Sequence, residues 1–270
     1  ILDFQLLTPG IQLVTAINIS PPFAIQDING NSRFDFIKEG LLNWVNQPLV
    51  TSPDDLSLIT NDGVELTHQD DKEQFKTVLE EYTPDPKETE ANLNVLARAI
   101  EIASDPVSQL GMKGVVLFIS SQPTSDTVTG LESLLSLAQE NQVQIYTIMV
   151  SSPAFYNSSG ASRLQDLSNG TGGRLIPFSG EEELVDFGLL FKPLRSTYMI
   201  KYESQIVTSG NHTVELTIST SLGDNQGDRE FFLDVQPPNP VLISPPRQII
   251  RKFPEGEDPA GDELTYLPDT

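Results

Sequence analysis

The sequence predicts a doubly wound α/β domain, a mostly parallel sheet with helices on both faces, followed by a small antiparallel β module. Three observations carry this. From Ile11 to about Phe191, short apolar runs alternate with stretches of helical periodicity, as crossover connections in a parallel sheet require. Gly114-Val-Val-Leu-Phe-Ile119 has no polar side chain, so neither face of that strand can meet water and it belongs at the centre of the sheet. After Pro193, strand-like runs follow one another with turn residues between them and no helix.

The elements read in order as follows. Gln12 to Ile19 is a short, mostly apolar run, the look of a strand buried on both faces. Phe34, Ile37, Leu41, Leu42 and Val45 fall at helical spacing over 34–45. Leu56–Thr60 and Val64–Thr67 flank Asn61-Asp-Gly63, a hairpin signal. Helices are expected over 71–82 and 91–103, the second with Leu93, Leu96, Ala97, Ile100 and Ala103 on one stripe. The strand at 114–119 precedes a helix over 130–141, a strand over 143–150 and a helix over 161–168. Gly172-Gly173 then stops that helix and opens the strand 174–177. Glu181-Glu-Glu183 is expected in the first turn of a last helix, where carboxylates suit the positive end of the dipole.

Residues 10–192 are therefore expected as one α/β domain and 193–236 as an antiparallel β module with strands at 197–202, 211–218 and 229–235. Residues 1–9 are expected as an N-terminal strand or linker that joins the β module as an added strand, since Leu2, Phe4 and Leu6 alternate and need a sheet face. Residues 237–270 read as a Pro-rich linker and the start of a further segment. A chain opening at Ile1 is expected to be a piece of a larger protein.

Composition narrows function. The 270 residues hold 38 Asp and Glu against 16 Lys and Arg, a net charge of -22. Phosphate backbones are bound by clustered Lys and Arg, so no nucleic-acid partner is expected, and anionic membrane surfaces are disfavoured too. No run of about 18 apolar residues exists, so no direct membrane insertion is expected. The absence of cysteine excludes thiolate metal sites and cysteine catalysis, and two histidines, His68 and His212, leave little for zinc.

Several stretches, in order, resemble the von Willebrand factor type A family. They are Leu13-Val-Thr-Ala-Ile-Asn-Ile-Ser-Pro-Pro22, Gly114-Val-Val-Leu-Phe-Ile-Ser-Ser120–121, Val143–Ile148, Leu164-Gln-Asp-Leu-Ser-Asn-Gly-Thr-Gly-Gly-Arg174 and Glu181–Leu184. The resemblance covers about residues 10–192. It implies a site for a divalent cation at the carboxyl ends of the strands, with an acidic partner side chain completing the shell. Carried over position by position, the family's first Asp falls on Asn18, its first Ser on Ser20, its second Ser on Pro22, its second-loop Thr on Ala91 and its later Asp on Ser120. Shifting the second loop by two would bring Thr89 instead of Ala91. Both carboxylates are gone in this alignment. Mg²⁺ gives up water only for well-placed oxygens, so the site reads as degenerate, with no metal or other cofactor expected.

Other signals have plainer readings. Asp27-Ile-Asn-Gly-Asn-Ser-Arg-Phe-Asp35 matches the start of a Ca²⁺ loop through Asp27, Asn29, Asn31 and Asp35. Ser32 replaces its required glycine and Lys38 its bidentate carboxylate, so a turn entering a helix is favoured. Asp54-Asp55 reads as a turn after Pro53, and Asp71 as a helix cap with Gln74 completing a capping box. Both histidines read as solvated. Ser20, Ser120 and Ser121 cluster without an identifiable general base, so no enzyme is expected. Asn-x-Ser/Thr sequons stand at Asn18, Asn157, Asn169 and Asn211, the first expected to be buried.

The expected function is a non-catalytic protein-interaction or scaffolding domain of a larger exported or cell-surface protein. Its partner is a protein or other domains of the same polypeptide, met through loops 18–32, 84–92, 120–129 and 151–160. The alternative is a metal-dependent adhesion or sensor domain in which Mg²⁺ or Ca²⁺ uses substitute ligands such as Asp27, Asp85, Glu88, Glu90 or Asp126.

Overall fold

A computed structural model of the chain describes residues 3–47, 54–123, 125–221 and 223–235, with the backbone alone at 125–129. Strand β1 is Asp3–Leu7 and β2 is Ile11–Asn18, followed by helix α1 at Arg33–Val45, β3 at Asp55–Thr60 and β4 at Glu65–Gln69. Next come α2 (Lys72–Glu81), α3 (Asn94–Ala103), β5 (Lys113–Ser121), α4 (Ser125–Glu140), β6 (Gln144–Val150) and α5 (Ser159–Gly170). The chain continues through β7 (Leu175–Phe178), α6 (Phe187–Phe191), β8 (Thr197–Lys201), β9 (Gly210–Thr220) and β10 (Gly223–Leu233). Two compact units result, the division falling after Glu203.

Six strands of the first unit form one sheet in the order β4-β3-β2-β5-β6-β7. Every neighbouring pair is parallel except β3 and β4, which form the expected hairpin at one edge. Strand β5 lies between β2 and β6, and Val115 to Ile119 are fully buried, as their apolar run demands. The pleat of β2 sends Leu13 and Ile17 to one core layer with Trp44, Phe75, Phe187 and Phe191. Val14 and Ala16 join the other layer with Leu96, Ile100, Leu164 and Leu167. Fully burying each such large side chain contributes about 1.5–3 kcal/mol, far above the propensity differences of about 0.7 kcal/mol or less that separate most residues in a helix. The two apolar layers therefore decide where the helices lie.

Local chemistry sets the helix ends. The Ser32 hydroxyl accepts from the Asp35 amide at 3.1 Å while Asp35 Oδ2 accepts from the Ser32 amide at 2.7 Å, a capping box at the start of α1. Asp71 caps α2 through the Glu73 amide at 3.0 Å, with no capping box to Gln74. After α5, Gly172 turns the chain at φ +82°. A Cβ on Gly173 would stand 2.0 Å from the Ile145 carbonyl oxygen, so only glycine lets β7 enter beside β6.

Three expectations are corrected. Glu181 to Glu183 do not open the last helix, which starts at Phe187 with Asp186 accepting from the Gly188 and Leu189 amides at 2.7 and 3.2 Å. The Glu182 carboxylate is instead held by Ser179, whose amide and hydroxyl both donate to it at 2.7 Å.

Second, residues 193–236 do not form one antiparallel module. Strand β8 pairs with β1, Phe4 opposite Ile200 and Leu6 opposite Tyr198, while β9 and β10 form a separate two-stranded sheet. The alternating apolar residues of β1 find their counterpart in β8, with the Phe4 and Tyr198 rings stacked at 5.4 Å and the Thr197 hydroxyl donating to the Gly111 carbonyl at 3.0 Å. No β-sandwich exists among the described residues. The segment 237–270 lies outside them.

Third, Asp54 is no turn residue. It is 2% exposed and receives the Arg195 guanidinium and the Ile11 amide, the latter at 3.0 Å.

Candidate functional site

Strands β2 and β5 lie side by side, but β2 connects outward to β3 and β5 outward to β6, so the strand order reverses between them. In open α/β sheets a ligand crevice forms outside the carboxyl ends of the strands at such a point. A cleft of about 570 Å³ lies here, lined by residues that include Asn18, Ser20, Pro22, Ala91, Ser120 and Ser121. The five positions carried over from the family resemblance are thus brought together, and Asn18 and Ser120 are direct partners in the β2–β5 register.

Their polar atoms are engaged with one another. The Asn18 side-chain amide donates to the Ser120 hydroxyl at 2.9 Å, and Asn18 Oδ1 accepts from the Asn92 backbone amide at 2.9 Å. Ser120 passes its own proton to the Ser121 carbonyl at 3.1 Å, and the Ser20 hydroxyl donates to Ser121 Oγ at 2.8 Å. Asn18, Ser20 and Ser120 are 2–4% exposed. These bonds join the ends of β2 and β5 through neutral polar groups, each of which has a partner in spite of its burial. Pro22 sits in a 3-10 turn over Pro21–Ala24, and its carbonyl accepts from Arg33 at 3.4 Å.

Ala91 is exposed on the rim beside Glu90, the acidic residue among the described residues that line the cleft. Thr89, the alternative to Ala91, donates its hydroxyl to the Asp85 carbonyl at 2.7 Å and does not line the cleft. Asp85 also caps its own turn through the Lys87 amide at 3.1 Å. The side chain of Asp126 lies outside the described residues. Among the described residues no cluster of three or more His, Asp or Glu side chains is placed to hold a metal ion.

The Asp27 loop is built as a turn. Asp27 Oδ1 accepts from the Asn29 and Asn31 amides at 2.8 and 2.9 Å, the Asn29 side chain donates to Oδ2 at 3.2 Å, and Gly30 takes φ +90°. Asp35 is occupied in the α1 capping box. Ile28, at the tip of this loop, is fully exposed.

A second network ties the start of α1 to the loops that carry Tyr156 and Ser179–Glu182. Tyr156 donates its hydroxyl to Glu182 at 2.7 Å, and the buried Arg33 donates Nε–H to the Ser179 carbonyl at 2.5 Å. Partial desolvation works to raise the Glu182 carboxyl, but the bonds from Tyr156 and Ser179 outweigh it and hold its pKa at about 2. Desolvation and the bond to Glu182 push the Tyr156 phenol up to about 12.

His68 is exposed, as expected, but it carries two carboxylate partners that the sequence did not show. Its Nδ1 lies 2.9 Å from Asp55 Oδ2 and its Nε2 3.0 Å from Asp105 Oδ2, with its backbone at φ +53°. The bond to Asp55 raises its pKa most; partial burial opposes this, and Asp105 adds to it. His212 instead meets the Thr208 carbonyl at 2.9 Å. Sequence reasoning gave no role to Arg33 or to Asn92. A lone Arg or a loop amide has no periodicity or spacing that marks it.

No protein-family model and no curated protein matches the chain. Among solved structures it is similar to the conserved hypothetical protein BatB from Bacteroides thetaiotaomicron, at 14% identity and a TM-score of 0.49 over 69% of this chain and 96% of that one. It is also similar to the manganese-loaded TRAP protein of Plasmodium vivax, at 15% identity and a TM-score of 0.46 over 85% of this chain and 96% of that one. A third similarity is to the N-terminal domain of TFIIH p34, at 15% identity and a TM-score of 0.39 over 70% and 97%. At these values the likenesses lend no function to this chain. Its own topology and cleft define the first unit as a doubly wound α/β domain with a polar crevice at the switch point.

Proposed function

We propose that this is a non-catalytic protein-interaction domain of von Willebrand factor type A character, serving a larger exported or cell-surface protein. On this reading it docks its partner at the carboxyl end of the sheet without a bridging cation. One observation carries the reading: Asn18, Ser20, Ser120 and Ser121 bond to one another at 2.8–3.1 Å where the resembled family would place metal ligands. Binding then rests on shape and neutral polar contacts of the cleft and on exposed loop residues such as Ile28. Among the described residues no nucleophile, base and acid converge there, which supports a binding role rather than catalysis.

The competing reading, a metal-dependent adhesion domain with Glu90 as substitute ligand, gives opposite results in two measurements. Calorimetry with Mg²⁺, Mn²⁺ and Ca²⁺ at 0.15 M salt should show no saturable micromolar event. Partner capture from the source extract should persist in EDTA and be lost with Ala91→Arg, which fills the cleft from its exposed rim. Micromolar metal binding that disappears with Ser20→Ala or Glu90→Gln would overturn the proposal in favour of the adhesion site.

A further inference from the structure

Among the described residues that line the cleft between the ends of β2 and β5, Glu90 is the charged one, and no donor of the described chain reaches its carboxylate. The backbone around it is fixed. Asn61 donates its side-chain amide to the Glu90 carbonyl at 2.8 Å and to the Ile19 carbonyl at 2.9 Å. Two residues further on, the Asn92 amide donates to Asn18 at 2.9 Å. Glu90 is thus tied to the end of β2 while its side chain stays exposed on the rim. The other walls are of two kinds. Ser20, Ser121 and Gln122 bring neutral polar groups, and Pro21, Leu93 and Leu164 bring apolar surface. Ser20 gives its proton to Ser121 Oγ at 2.8 Å. A hydroxyl oxygen has two lone pairs, so Ser20 keeps both as acceptors and Ser121 keeps one.

We infer that this cleft takes an arginine side chain of the partner, its guanidinium on the Glu90 carboxylate and its stem along the apolar wall. The inference rests on the reading that a partner docks at this end without a bridging cation, and it makes that partner a basic protein segment. Three features favour such an occupant. One carboxylate with a few hydroxyl and amide oxygens is too little for Mg²⁺, which wants octahedral oxygens at about 2.0–2.1 Å. A guanidinium is more weakly hydrated than an ammonium and spreads five donors in a planar fork, so one carboxylate and neighbouring neutral acceptors suit it. The apolar wall is the second feature, because an arginine stem buries its methylenes on such surface while the charged head meets polar groups. Charge around the cleft is the third. Among the described residues of the loops at this end, 19–32, 61–64, 82–93, 151–158 and 179–186, Lys87 is the single cation. Against it stand Asp27, Asp62, Asp85, Glu88 and Glu181–Glu183 besides Glu90. Such a field steers a basic segment towards the cleft and repels the acidic side chain that a metal site would call for.

The test titrates the full chain in EDTA with the blocked tripeptide acetyl-Gly-Arg-Gly-amide, and with its aspartate counterpart, while backbone amide shifts are followed by NMR. The arginine peptide should give saturable shifts centred on Ser20, Asn92, Ser121 and Gln122, and the aspartate peptide none. Glu90→Gln should weaken that binding about fivefold, the most that one exposed ion pair usually contributes. Glu140→Gln removes the same charge at the last residue of α4 and should leave the affinity unchanged. Absence of saturable cleft shifts, shifts spread evenly over the acidic loops, or equal weakening by both substitutions would overturn the inference and leave metal-free docking standing. Cleft shifts from the aspartate peptide that appear only when Mg²⁺ replaces EDTA would overturn metal-free docking itself, and this inference with it.

Discussion

Arg195, in the short turn before β8, donates Nε–H at 3.3 Å to Oδ1 of Asp54, whose side chain is wholly buried at the start of β3. The same carboxylate oxygen accepts the Ile11 amide, the first of β2. One carboxylate thus joins the beginnings of two sheet strands to the segment that leads into β8.

Removing one member of a buried pair leaves the other charge uncompensated, which typically costs about 3–5 kcal/mol. Asp54→Ala should therefore destabilise the first unit by about that amount in urea unfolding. Arg195→Met in the same chain should recover part of the loss. A Asp54→Ala variant with wild-type stability would show that Arg195 is solvated when unpaired.

The pH response should be dominated at neutral values by His68. Its folded pKa is raised, chiefly by the bond to Asp55 and further by Asp105, with burial opposing. Its stabilisation is then complete below the ordinary histidine pKa of about 6.5 and is lost as pH rises through the folded value. The ring is 37% exposed, so solvent screening keeps the effect small. Urea midpoints should fall as pH rises above about 6.5 in the wild type, and His68→Gln should flatten that part of the profile. A parallel decline in both proteins would assign it elsewhere.

Much of this was legible from side-chain pattern alone. The apolar run Val115–Ile119 dictated its central place in the sheet, and Asn61-Asp-Gly63 dictated the β3–β4 hairpin. The order of Leu13–Pro22 and Ser120–Ser121 brought Asn18, Ser20 and Ser120 to one cleft before any coordinates. What failed was set by tertiary partners. Nothing local tells that Asp54 meets Arg195, 141 residues on, or that His68 meets Asp105, 37 residues on. Glu181 to Glu183 looked like a helix start because local charge fitted a dipole. The Ser179 and Tyr156 hydroxyls offer Glu182 stronger, specific bonds. The pairing of β1 with β8 agrees with the alternation of Phe4 and Leu6, whereas nothing local marked that β9 and β10 would pair in a sheet of their own.

Acid should act on a different group. Glu182, held at about 2 by Tyr156 and Ser179 against partial desolvation, contributes stability above the ordinary glutamate pKa, which is lost as pH falls through the folded value. The side chain is exposed, so a modest effect is expected. Glu182→Gln should lose a small part of the stability decline between about pH 4.3 and 2. It should also lower the Tyr156 phenol from about 12, read by ultraviolet titration. A phenol that stays at 12 in Glu182→Gln would assign its shift to desolvation alone.

The neutral cleft makes the most demanding prediction, that a cation site can be rebuilt by restoring charge. Asn18 and Ser120 are register partners whose side chains bond at 2.9 Å, so Asn18→Asp with Ser120→Asp places two carboxylates face to face in a buried setting. Like charges at that separation repel strongly and one should hold a proton unless a cation enters. Pro22→Ser and Ala91→Thr then add two hydroxyls on the same cleft wall. Mg²⁺ exchanges hydration for such fixed, charged oxygens at about 2.0–2.1 Å, and for little less. The net charge of -22 draws cations in, but only diffusely, over a Debye length of about 8 Å at physiological salt. The fourfold variant should accordingly be less stable than wild type in EDTA and regain thermal stability with Mg²⁺ or Mn²⁺, with saturable binding by calorimetry. The two single carboxylate variants should show neither. A fourfold variant that folds but ignores both ions would mean that the carried-over positions, though adjacent in the cleft, do not share the coordination geometry of the family they resemble.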